Sequence, residues 1–145
     1  MRVGVKRLRP DAKLPVRATE GSAGWDLCAA TDKTIIIGPG LGTRIPLGVA
    51  LEMEPGWVGK LHLRSGVAAK KGLCLANGVG VVDSDYRGEL VVAVWSLNRI
   101  ADVTIEPGER IAQILFERSE AVEVEEVAEL GVTERGAGGF GSTGK

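Results

Sequence analysis

Turn-forming dipeptides cut this chain into short apolar runs, and that punctuation restricts its fold more than any other feature. Gly38-Pro39-Gly40, Pro55-Gly56, Asn77-Gly78, Arg87-Gly88 and Pro107-Gly108 stand between β-branched segments. Gly and Pro at such points end regular structure, and β-branched residues fit a pleated surface. The runs read as strands are Val3–Leu8, Trp25–Ala29, Thr34–Ile37, Thr43–Glu52, Trp57–Leu63, Leu73–Leu75, Gly80–Val82, Glu89–Leu97, Arg110–Arg118 and Val122–Val127. Asn77-Gly78 reads as a hairpin turn. Helical signal is confined to Val67–Lys71, which Gly72 ends. Many short strands at this spacing predict an all-β sandwich or jelly roll with one short helix. With 145 residues the chain makes one domain, and with only 4% aromatics its core must be Val, Ile, Leu and Ala.

The charge balance narrows the partners. A net charge of -1 argues against a nucleic-acid polymer, which requires a basic face. A few converging Arg side chains can still bind one small polyanion. No apolar run approaches a membrane span, and the basic start Met1–Pro10 has no apolar core of a signal peptide, so a cytoplasmic protein is expected. Two cysteines and one histidine are too few for a structural zinc site. Cys28 and Cys74 lie in apolar strand-like runs and read as buried free thiols of a reducing compartment.

The end of the chain is unlike the rest. Arg135-Gly136-Ala137-Gly138-Gly139-Phe140-Gly141-Ser142-Thr143-Gly144 contains five glycines, one cation, one aromatic ring and two hydroxyls. Such a segment builds no core, because glycine loses the most backbone freedom on ordering. It reads either as a plain Gly/Ser tail or as a flap over a phosphorylated, ring-bearing ligand. In the flap, Arg135 pairs with phosphate, Phe140 lies on a ring, and Ser142, Thr143 and bare N–H groups bond phosphate oxygens. A dinucleotide motif needs a following helix, and the chain stops at Lys145; a P-loop needs Lys where Ser142 stands.

Four internal segments carry candidate chemistry. Arg64-Ser65-Gly66 joins a strand to the short helix: an anion site, or an ordinary Ser cap. In Asn77–Glu89 an apolar strand ends at Asp83 and then Tyr86, placing a carboxylate and a phenol at a cavity rim. Asp83 can take a proton from water as a general base, or simply form the Asp83-Ser84-Asp85 corner. Asp26 follows Gly24-Trp25, where a solvated turn carboxylate is the default. Gln113 lies in the apolar strand Ile111–Leu115 and must find a partner, in the fold or on a ligand.

In this order the segments resemble one family, the trimeric deoxyuridine triphosphate nucleotidohydrolases (dUTPases). Its five motifs correspond to Ala23–Leu27, Arg64–Gly66, Gly80–Gly88, Gly108–Gln113 and Arg135–Gly144. The resemblance implies a jelly-roll-like β-sandwich over residues 1–134 and a flexible glycine-rich flap over 135–145. It implies that Asp83 activates the water that attacks the α-phosphorus of dUTP, giving dUMP and pyrophosphate. Tyr86 would pack on the deoxyribose. Asn77, Gly80, Val81 and Val82 would read uracil. Arg64, Ser65, Gly66 and Gln113 would hold the phosphates, and Arg135, Phe140, Gly141, Ser142 and Thr143 would close the flap. Asp26 would bond water on a Mg²⁺ ion chelated by the phosphates. Each site would be shared among three chains of a homotrimer.

This sequence departs from the family at Trp25, where Tyr or Phe is usual, at Leu63, where Pro is common, and at Ser96-Leu97-Asn98. The related dCTP deaminases resemble it too, but carry a Glu ten residues after the Asp equivalent to Asp83; here that residue is Ala93. A non-catalytic nucleotide sensor is the rival of a different class.

Overall fold

The computed structural model describes residues 2–140; Gly141, Ser142 and Thr143 of the expected flap lie outside them. Eleven strands and one helix follow in the order β1 Gly4–Arg7, β2 Trp25–Cys28, β3 Ile35–Ile37, β4 Gly42–Pro46, β5 Val49–Glu52, β6 Trp57–Leu63, α1 Ser65–Lys71, β7 Leu73–Leu75, β8 Gly80–Val82, β9 Val91–Ser96, β10 Val103–Ile105 and β11 Arg110–Arg118. They form a four-stranded sheet ordered β2-β11-β6-β8, a three-stranded sheet ordered β4-β9-β7, and the pairs β1-β5 and β3-β10. All strand pairings are antiparallel. The all-β, jelly-roll-like architecture with one short helix is as the sequence indicates.

Aliphatic side chains fill the space between the sheets. Leu27, Ile45, Leu47, Ile105, Ile111 and Ile114 are almost wholly buried, and neither Trp nor Phe is fully buried among them. Each such Leu or Ile contributes about 1.5–3 kcal/mol by leaving water. The helix buries only Val67 and ends at Gly72 in the left-handed region (φ 64°). Lys71 ties it to the β10–β11 turn, 2.7 Å from Glu109 and 2.6 Å from the Thr104 carbonyl.

Several expectations need correction. The run Thr43–Glu52 is two strands, not one. Gly48 sits between them at φ 70°, a conformation that costs other residues strain. A Cβ there would also stand 2.6 Å from the Cβ atoms of both Ala12 and Ala30. Gly48→Ala is therefore expected to cost about 1–3 kcal/mol through strain and overpacking. A urea midpoint equal to the parent's would contradict that account. The strand β10 adds to the expected set: it is only three residues long and ends one residue before Pro107-Gly108, so its own pattern carries little strand signal. Val122–Val127 forms no strand: it has no partner among the described residues, and every residue from Glu117 to Ala137 is exposed.

Asn77-Gly78 does not close a hairpin. The strands on either side pair elsewhere, β7 with β9 and β8 with β6. The Val79 N–H donates to the Asn77 carbonyl at 2.7 Å and Gly78 takes φ 70°, so the chain turns a corner from one sheet into the other. Cys74 is half-buried, not buried; Cys28 is buried, and both thiols are free.

Candidate active site

The candidate residues fall into three places. The first is the β2–β11–β6 end of the large sheet. Asp26 pairs across the sheet with Gln113, and Gln113 with His62. The β11–β2 register shifts between Arg110 and Ala112. Residues three apart on a regular strand face opposite ways; the extra residue brings Arg110 to the face that carries Gln113. Arg110 then reaches Asp26, Nη1 to Oδ2 at 3.2 Å. Arg64, at the end of β6, meets the other oxygen, Nε to Oδ1 at 2.9 Å.

Asp26 is thus no solvated turn carboxylate. It is 6% exposed and holds two guanidinium groups. One carboxylate between two cations leaves an excess positive charge, and both Arg side chains remain partly accessible. Such a cluster attracts an anion while its geometry is fixed from below. Arg110 was not singled out from the sequence, although its place three residues before Gln113, behind Pro107-Gly108, was the available signal.

Ser65 and Gly66 open the helix beside Arg64. The capping position is Arg64, without a side-chain cap, so Ser65 does not serve as the ordinary cap. Ser65 and Gly66 are exposed, and nothing lies within 4 Å of the place a Gly66 Cβ would take. Gln113 is half-buried, with its carboxamide packed against Gly24. Burial pushes the Cys28 thiol up, partly offset by the Lys13 charge, so it stays protonated and unreactive at neutral pH.

The second place is a cleft of ≈ 200 Å³ at the opposite edge of the same sheet. Asn77, Gly80, Val81, Val82, Asp83 and Tyr86 all line it. Val82 is buried and Asp83, the next residue, is exposed as β8 ends. The Tyr86 N–H donates to the Asp83 carbonyl at 3.2 Å, closing a turn that presents the carboxylate and the phenol together. The Tyr86 hydroxyl donates to the Glu89 carbonyl at 3.0 Å.

The third place is the arm. The Arg135 Nε donates to the Gly138 carbonyl at 2.9 Å, and Phe140 is fully exposed at φ 50°. Neither touches the other two groups. Since β2 and β8 are the outer strands of a four-stranded sheet, the Asp26 and Asp83 clusters lie roughly 14 Å apart or more, three strand spacings. Among the described residues, one chain does not bring the motif segments together.

Among the described residues no group of three or more His, Cys, Asp or Glu side chains could cage a metal. Asp26 has both oxygens engaged by Arg and is nearly inaccessible, so it does not fit as a direct ligand of a hard cation, which takes several oxygens. No helix among the described residues is long and apolar enough to cross a membrane.

Solved structures share this overall fold. The chain is similar to a dUTPase of Staphylococcus bacteriophage 80alpha bound to dUPNHPP, with a TM-score of 0.90 and 29% identity over 99% of each chain. Fold and clusters together define an all-β protein of dUTPase-like build. Sequence comparison narrows this. The dUTPase family model matches residues 10–144. A deoxyuridine 5'-triphosphate nucleotidohydrolase of Rhodococcus erythropolis is 46% identical over 142 residues, 98% of this chain and 85% of that one. One of Bordetella avium is 47% identical over 133 residues, 91% of this chain and 89% of that one. The chain belongs to the dUTPase family.

Proposed function

We propose that this protein hydrolyses dUTP to dUMP and pyrophosphate, keeping dUTP low and supplying dUMP for thymidylate synthesis. The observation that carries the reading is the cleft that gathers Asn77, Gly80, Val81, Val82, Asp83 and Tyr86, in a chain of the dUTPase family. Uracil enters that cleft, read by Asn77 and the backbone of Gly80–Val82, and Tyr86 packs on the deoxyribose. Asp83 takes a proton from the attacking water. The new bond forms from that water's oxygen to the α-phosphorus, and the bond to the bridging oxygen breaks, releasing pyrophosphate. Phosphoryl chemistry is chiefly positioning and charge neutralisation. A set of few catalytic groups and many phosphate donors fits that demand.

Arg64, Ser65, Gly66 and Gln113 hold the phosphates, with Arg110 beside them on the shared Asp26 carboxylate. A Mg²⁺ ion held by the substrate's phosphates would neutralise their charge, and Asp26, with both oxygens on Arg side chains, would meet it only through water. The sandwich domain takes in residues 1–134, with its last strand ending at Arg118, and 135–145 close over the ligand with Arg135, Phe140, Gly141, Ser142 and Thr143. The distance between clusters supports a site shared by the subunits of a homotrimer, in which one chain's Asp83 cleft meets a neighbour's Arg64. The exposed arm supports a flap that reaches another chain, and cyclic closure satisfies every such surface. In sedimentation the protein is expected near three times its 15.2 kDa chain mass; a species of single-chain mass at micromolar concentration would contradict the shared site.

The deciding assay is pyrophosphate release from dUTP, with dTTP, dCTP and UTP as controls. Strict preference for dUTP is expected. A polar pocket matched to one base leaves groups unpaired with another, at about 1–3 kcal/mol each. Comparable turnover of dCTP or UTP overturns the assignment. Ala93, on β9, offers a methyl group where a deaminase requires a carboxylate. A nucleotide sensor without catalysis would bind dUTP and release no pyrophosphate.

A further inference from the structure

Tyr86 is held more firmly than a residue on an exposed turn needs to be. Its ring lies against Gly88, where any Cβ would collide with the phenol oxygen and ring carbons. Its hydroxyl donates to the backbone carbonyl of Glu89 at 3.0 Å. The Glu89 carboxylate in turn accepts the Gly48 N–H at 2.9 Å, across 41 residues of sequence. Two backbone bonds flank that contact: the Leu47 N–H donates to the Leu90 carbonyl at 2.9 Å, and the Leu90 N–H to the Val49 carbonyl at 2.8 Å. The turn at Gly48 is itself seated on buried Ala12 and Ala30. At the other end, Arg87 Nη1 donates to the Ser84 carbonyl at 2.7 Å and to the Tyr86 carbonyl at 3.1 Å. The phenol is therefore tied through Glu89 to the core, while its free face remains open to the cleft.

We propose that Glu89 is a positioning residue that sets sugar specificity, by fixing the Tyr86 ring where a ribose 2′-hydroxyl would need it to move. The inference rests on the reading of the cleft as the deoxyribose site. A ring anchored only by local turn bonds can tilt by an ångström and admit one extra oxygen. A ring whose hydroxyl is fixed to a carbonyl beside a core-anchored carboxylate cannot yield that space without breaking the anchor. Glu89 also borders the cleft, but its carboxylate is engaged by the Gly48 N–H, so its effect on the sugar runs through Tyr86.

The test compares kcat/KM for dUTP and UTP in the parent protein and in Glu89→Ala, Glu89→Asp, Glu89→Gln and Tyr86→Phe, with Tm measured for each. Ala removes the acceptor, and Asp withdraws it by one methylene while keeping the charge. Gln presents the same carbonyl-type oxygen to Gly48. The dUTP/UTP ratio is expected to fall about tenfold in Ala and Asp, the scale of one lost anchoring hydrogen bond, chiefly through a lower KM for UTP. Gln should hold the parental ratio within about twofold, since its oxygen accepts the same bond. Tyr86→Phe removes the hydroxyl bond to the Glu89 backbone carbonyl, the link through which the anchor reaches the ring, so the ratio should fall there as well, and an unchanged ratio overturns the proposal even if Glu89→Ala and Glu89→Asp fail to fold. An unchanged ratio in the folded variants, or an equal loss for both substrates, overturns the proposal. A parent protein that does not turn over dUTP overturns the functional reading instead.

Discussion

Asp83→Asn is expected to bind dUTP about as well as the parent and to hydrolyse it roughly 10²- to 10⁴-fold more slowly, the usual cost of removing a positioned general base. Asn has nearly the same shape and keeps an acceptor oxygen, so the turn closed by the Tyr86 N–H on the Asp83 backbone carbonyl survives the change. What is lost is the capacity to accept the water's proton. Single-turnover kinetics with a separate binding measurement divide the two effects. Near-parental turnover would return Asp83 to the role of a corner residue and move the search for the base elsewhere in the cleft.

Ending the chain at Glu134 should be nearly as damaging to turnover and almost harmless to the fold. The β-sandwich finishes with β11 at Arg118, and Phe140, the one large apolar side chain beyond Glu134 among the described residues, contacts no core. Urea midpoints of the truncated and full-length proteins should agree. Activity should fall on both binding and turnover. The arm would supply phosphate contacts only when closed, and closure excludes water and aligns the chain of phosphates. Phe140→Ala should be milder, about ten- to a hundredfold, the worth of one aromatic stacked on a base. Full activity without residues 135–145 would show the arm to be a plain tail.

The legible parts of the fold were those encoded locally. Trp57–Leu63, Leu73–Leu75, Gly80–Val82 and Arg110–Arg118 have the expected bounds, each beginning within two residues of a Gly. Local pattern says nothing of partners. Val122–Glu125 alternates apolar and acidic side chains as true strands do, but a strand exists only when another strand takes up its hydrogen bonds. Asn77-Gly78 has the chemistry of a hairpin, yet β7 and β8 were claimed by different neighbours. The same holds for the candidate site. The residues from Asn77 to Tyr86 are close in sequence, so their shared cleft was readable. Asp26, Arg64 and Arg110 meet only because a bulge in β11 turns Arg110 toward β2, a long-range event that no local pattern records. Asp26 therefore read as an exposed turn residue when it is the anchor of a cationic pair.

The exposure of the arm bears on how such a chain can change over generations. Substitutions on a surface that touches nothing shift stability by about 0.5 kcal/mol at most. From Glu120 to Val132 every residue is exposed and makes no hydrogen bond or ion pair with the rest of the described chain. Mutations there escape the filter that removes unstable variants and meet selection only through assembly and ligand closure. The sandwich and the arm thus answer to separate judges: one stretch is held by the demand to fold, the other by the demand to work, and the second can drift quickly wherever that work is relaxed.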